Sequence, residues 1–118
     1  MLRGVVTSLK QTGLKLGEDF DVVTFSIDPT ETSAQAAAKR TELITELGYS
    51  PSAPGWDFLT GDAANIKALS AQLGFRYQYD AQIKQYVHAA AFTLITPEGN
   101  ISGYVYGVRF PWPMLYLA

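Results

Sequence analysis

The chain of 118 residues holds one histidine, His88, and no cysteine. Without a thiol it can form no disulfide, thiolate nucleophile or zinc-finger site, and cysteine usage cannot report its redox compartment. One imidazole supplies a single ligand where ordinary metal sites need three or four of suitable softness. Taken alone, His88 reads as a histidine satisfied by a backbone carbonyl. Other chemistries fail on inventory too. No G-x-S-x-G nucleophile elbow occurs, and Gly13 and Gly17 lack the lysine and hydroxyl of a phosphate-cradling G-x-x-x-x-G-K-[ST] loop. Asp28 and Asp80 read as a strand-ending turn and a loop carboxylate ahead of any role in a site. Alternation puts Tyr77 and Tyr79 on one face of a strand, and Tyr104 and Tyr106 on one face of another. With Tyr86, they read as sheet packing ahead of a platform for a partner.

The elements that must position these groups follow from periodicity. Leu2, Val5, Val6 and Leu9 form a helical stripe, so a helix is predicted over about 2–11, ending in Gly13. Phe20 to Ile27 is a β-branched and aromatic run stopped by Asp28-Pro29, the composition of a strand buried on at least one face. Thr32 and Gln35 have capping-box spacing, and Ala34, Ala37, Ala38, Thr41, Ile44 and Leu47 are the expected buried face of a helix ending at Gly48. Trp56 to Thr60 reads as a short strand, and Asp62 as the start of a helix with Ile66, Leu69 and Leu73 facing inward before Gly74. Phe75 to Tyr79 is a further strand and Asp80 to Tyr86 a polar loop. Ala89 to Thr96 and Ile101 to Val108, separated by Pro97-Glu98-Gly99-Asn100, form the strongest hairpin signal. Strand and helix alternate as in βα units around a largely parallel sheet, made mixed by the hairpin. Two prolines bracket Trp112 after Val108, and this apolar tail reads as cover for a sheet edge ahead of a docking tail.

Hydrophobic residues make up 47% and aromatics 13%, enough for one core, so residues 1–118 are expected to form a single domain. Net charge is -2 and the basic residues are scattered, which implies no nucleic-acid groove and no anionic membrane surface as partner. No apolar run approaches the ~20 residues of a membrane span, and no signal peptide is evident at the N-terminus.

Four segments resemble the Sco/SenC family in order and spacing: G-E-D-F-D-V-V-T-F-S-I-D-P-T-E-T, W-D-F-L-T-G-D, G-F-R-Y-Q-Y-D, and H-A-A-A-F-T-L-I-T-P-E-G-N-I-S-G-Y-V-Y-G. Together they carry most of Gly17 to Gly107. The resemblance implies a thioredoxin-like α/β fold, a mixed sheet flanked by helices with a C-terminal β-hairpin, on the periplasmic side of a respiratory membrane or tethered to it. It further implies copper held by two cysteines of a C-x-x-x-C motif and one histidine. The associated role is assembly of the copper centre of cytochrome c oxidase, by copper delivery or by thiol–disulfide reduction. Soft thiolates suit Cu(I), and an imidazole lets such a site hold Cu(II) as well.

His88 matches the family's imidazole ligand; the two cysteine ligands have no counterpart in this chain. In the family they fall at the start of the helix that here opens with L-R-G-V-V-T-S-L-K. The economical expectation is a start just after the second cysteine, with the first strand of the family fold missing, so that this form is inactive and binds copper weakly or not at all. The implied partner is a cytochrome c oxidase subunit or another copper protein. A sheet lacking that strand is expected to rearrange so that its neighbours pair directly, to exchange strands in a homodimer, or to be poorly stable. Two rival readings stand: a non-catalytic thioredoxin-like protein-binding module, and a peroxiredoxin-like relative, which would need a cysteine.

Overall fold

The computed structural model describes residues 2–75, 77–82, 85–88 and 91–106. Helix α1 spans Leu2–Thr12 and buries Val5, Val6 and Ser8. It ends where Gly13 takes a left-handed φ of 72°, the conformation that makes glycine a helix terminator. The chain then folds over itself through a bridge between Leu16 and Phe20. Strand β1, Val22–Phe25, is half the length of the apolar run that announced it. It pairs in parallel with β2, Trp56–Leu59, in the register Val22↔Trp56 through Phe25↔Leu59.

Helix α2, Ser33–Glu46, makes the crossover between them. Its start follows the sequence: the Thr32 hydroxyl accepts from the Gln35 N–H, and the Gln35 side chain accepts from the Thr32 N–H. This reciprocal cap satisfies two donors that the first turn leaves open. Its buried face differs from the expected one. Ala36, Leu43 and Ile44 are buried, whereas Ala34, Ala37, Ala38 and Thr41 are exposed. Alanine suits either side of a helix, so the large residues Leu43 and Ile44, which bury more area, set the rotation.

Helix α3, Ala63–Leu73, is capped by the Asp62 carboxylate on the Asn65 N–H at 2.8 Å and ends at left-handed Gly74. Ile66 faces inward as expected, but the second fully buried position is Ser70, and Leu69 is exposed. Strands β3, Tyr77–Asp80, and β4, Gln85–His88, form an antiparallel hairpin where a polar loop was expected over 80–86. Their sequences, Y-Q-Y-D and Q-Y-V-H, alternate too briefly for periodicity to separate strand from loop. Strands β5, Ala91–Ile95, and β6, Ile101–Tyr106, form the expected second hairpin, with Gly99 at φ 88° in its turn. The tail beyond Tyr106 lies outside the described residues.

The core joins α1, α2 and the β1–β2 pair: Val5, Val6, Leu16, Leu43, Ile44 and Trp56 are buried together, with Val22, Phe58 and Leu94 packed against them. Trp56 is fully buried, and its ring nitrogen donates to Thr24 Oγ1 at 2.9 Å. Parallel and antiparallel pairing are both present, as expected of a mixed α/β protein. Among the described residues the strands form three two-stranded ladders, β1–β2, β3–β4 and β5–β6.

Candidate metal centre

His88 is the last residue of β4 and lies opposite Tyr77 of β3. It therefore sits at the end of a strand. Its side chain lies outside the described residues, as do Met1 and the side chains of Tyr77, Tyr79, Tyr86 and Tyr106. The placing of the imidazole relative to the amino end of α1, where the resemblance puts the missing cysteines, therefore lies outside the described residues too.

Asp80 pairs with Gln85 at the turn end of the same hairpin. At about 3.4 Å per residue, the three steps from Gln85 to His88 separate Asp80 from His88 by roughly 10 Å along the ladder. A shared site therefore has no support from the register.

Asp28 follows β1 and serves its turn. One carboxylate oxygen accepts from the Thr30 hydroxyl at 2.6 Å and from the Thr30 N–H at 2.9 Å. These two bonds, the hydroxyl's first, hold its pKa below the ordinary carboxylate value, with Lys39 adding a smaller pull. This is the strand-ending turn read from the sequence.

Sequence reasoning missed the group beside it. Glu31 meets the Lys39 ammonium at 2.6 Å. Burial pushes the Glu31 carboxyl up, but hydrogen bonds from Lys39 and the Ser26 hydroxyl outweigh it, and the net shift is downward. The two partners are eight residues apart across a loop and a helix start, a spacing with no local signature. Arg40 was missed as well. It reaches out of α2 to donate to the carbonyls of Trp56 at 2.7 Å, Pro51 at 2.6 Å and Ala53, tying the 51–56 loop to the helix. These contacts fix the entry to β2.

None of these groups makes a copper site. Among the described residues no three of His, Cys, Asp and Glu lie close enough to hold a metal. The thiolates that would match Cu(I) are absent from the sequence. A shallow groove along α1, lined by Val6, Thr7, Lys10, Gln11 and Glu46, offers one carboxylate and one ammonium and no soft donor. The donors among the described residues do not fit copper.

Comparison with solved structures places the architecture. A proposed electron transfer protein from Aquifex aeolicus VF5 superposes with a TM-score of 0.76 over 96% of this chain at 22% identity, and the chain spans 62% of that structure's length. The fold is thioredoxin-like α/β, seen here as βα crossover units followed by an antiparallel hairpin. The SCO1/SenC family model matches residues 1–111, and the chain belongs to that family of copper-handling and redox proteins. No curated protein matches the sequence.

Proposed function

We propose that this chain is the scaffold of an assembly factor for the copper centre of cytochrome c oxidase, with His88 as the imidazole of a copper pocket whose thiolates these 118 residues do not supply. The observation that carries the reading is the family match over residues 1–111 together with the placing of His88 directly ahead of the A-A-A-F-T-L-I-T-P-E-G segment. On this reading the chain docks a copper protein or oxidase subunit at the periplasmic side of a respiratory membrane. The copper delivery or thiol reduction of the family needs cysteine. Lacking it, these residues transfer neither copper nor electrons by themselves.

Copper titration tests this. The wild-type chain is expected to bind Cu(II) weakly, and the His88→Ala variant more weakly still, because one imidazole is a poor site. Submicromolar binding that survives His88→Ala overturns the assignment. Coding sequence continuing in frame ahead of Met1 through C-x-x-x-C is the expected genomic counterpart.

A second reading is a thioredoxin-like module that binds protein and has no metal or redox role. An in-frame upstream region complete but for substitution of both cysteines would decide for it.

A further inference from the structure

Two cations stand side by side on α2, and they find different kinds of partner. Lys39 meets the Glu31 carboxylate. Arg40 meets only backbone: Nε donates to Trp56 O at 2.7 Å, one terminal nitrogen to Pro51 O at 2.6 Å and the other to Ala53 O. All three nitrogens of the guanidinium are thus matched, each by a different carbonyl of the 51–56 turn.

One of these carbonyls has no alternative in water. Gly55 O accepts from Val22 N–H and Leu59 O from Ser26 N–H, so the odd-numbered carbonyls of β2 face β1 and that of Trp56 points the other way. Trp56 is fully buried, and a buried carbonyl needs a protein partner, which Arg40 supplies. The turn that carries the other two is closed by the Ala53 N–H on Ser50 O at 2.9 Å, and prolines at 51 and 54 restrict its backbone.

The same turn supports the approach to β1. Gly55 O takes the Val22 N–H at 2.7 Å, and Pro54 O lies 3.0 Å from where a Cβ on Gly17 would sit. Just ahead of the turn, the Tyr49 hydroxyl accepts from the Leu16 N–H at 3.0 Å. Residues 16–22 therefore rest on a segment whose own shape depends on the guanidinium.

We propose that residues 51–56 form a receptor for a guanidinium ion, filled in cis by Arg40, and that its filling holds the 16–22 segment in place. The ligand class is a planar cation with N–H donors on all three arms. An ammonium is a point charge with a different donor geometry and does not serve three fixed carbonyls in the same way. Emptied by mutation, the receptor takes up free guanidinium from solution. The proposal is independent of copper, and its test contains no metal.

The probe is guanidinium chloride at tens of millimolar, far below the molar concentrations that unfold proteins, against sodium chloride of equal concentration. Arg40→Ala should lower the urea midpoint and speed exchange of the Leu16 and Val22 amides at least about tenfold. Guanidinium should raise the midpoint of this variant saturably, because an ion that binds only the folded chain stabilises it, and should slow those two amides again. The wild-type midpoint should not rise. Lys39→Ala removes the neighbouring cation and its contact with Glu31, and should lose stability without recovery in guanidinium. Because Arg40→Ala can fail to fold, Arg40→Lys supplies a second arm that keeps the charge. It should retain the helix content seen by circular dichroism while speeding the Leu16 and Val22 amides several-fold. Wild-type exchange in Arg40→Lys, equal recovery of Lys39→Ala and Arg40→Ala, or no effect of guanidinium on a folded Arg40→Ala would each overturn the proposal.

Discussion

At the scale of single residues, the charged groups after β1 give the protein a defined acid response. The Glu31 pKa is lowered in the folded chain, because bonds from Lys39 and Ser26 outweigh burial. A group whose folded pKa is depressed contributes stability that is complete above its unfolded value, about 4.3 for glutamate, and that is lost as pH falls through the folded value. The urea midpoint should therefore fall below about pH 4.3, and Glu31→Gln should flatten that part of the profile while lowering stability at pH 7. An unchanged acid limb in the variant would remove Glu31 from the account. Ser70 makes the opposite case. It is 2% exposed, and its hydroxyl has no hydrogen-bond partner. An unsatisfied buried hydroxyl costs on the order of 1 kcal/mol or more, and alanine is the better helix former. Ser70→Ala should raise stability by about 1 kcal/mol in urea unfolding.

At the scale of elements, the sequence was legible wherever local chemistry decides. The Thr32 and Asp62 caps, the glycine stop at Gly13 and the hairpin turn around Gly99 are set within four or five residues, and each stands where its signal lies. It was misleading where long-range packing decides. The buried face of α2 keeps the expected Ile44 but runs through Ala36 and Leu43 and leaves Ala34, Ala37 and Ala38 exposed, and β4 formed where a loop was expected because its pairing partner is β3. The 13–20 and 51–56 segments show the same dependence. Gly55 has φ 109°, and a Cβ there would lie 2.6 Å from Gly17 N and 2.8 Å from Gly17 Cα. Neither atom is a flexible side-chain end, so two loops approach with no room for a side chain. Gly55→Ala should cost about 3 kcal/mol through backbone strain and overpacking, read as a lowered denaturation midpoint with α1 and α2 retained by circular dichroism. A loss below about 0.5 kcal/mol would mean that the loops can part freely.

At the scale of the whole molecule, the candidate site was legible as a family pattern and not as geometry. Four motifs place His88, yet the register puts Asp80 at the far end of its hairpin and the remaining ligands are not in the sequence. Among the described residues the packing is uneven as well. Trp56, Ile44 and Val5 tie α1, α2 and β2 into one buried cluster. The described anchors of the β5–β6 hairpin to the rest are fewer: Leu94 packs against that cluster, and the Tyr104 hydroxyl donates to Leu73 O at 2.9 Å at the end of α3. Few buried contacts and exposed strand bonds define a segment that opens below the global unfolding free energy. Amides of β5 and β6 should therefore exchange faster than those of α2 and of the β1–β2 ladder. Tyr104→Phe removes the hydroxyl and up to about 1 kcal/mol of docking, or roughly fivefold in the opening equilibrium. That variant should speed exchange in β5 and β6 by up to this factor and leave the β1–β2 amides unchanged. Equal acceleration in both would mean that the hairpin and the αβ body unfold as one unit, and that Tyr104 contributes to global stability instead of local docking.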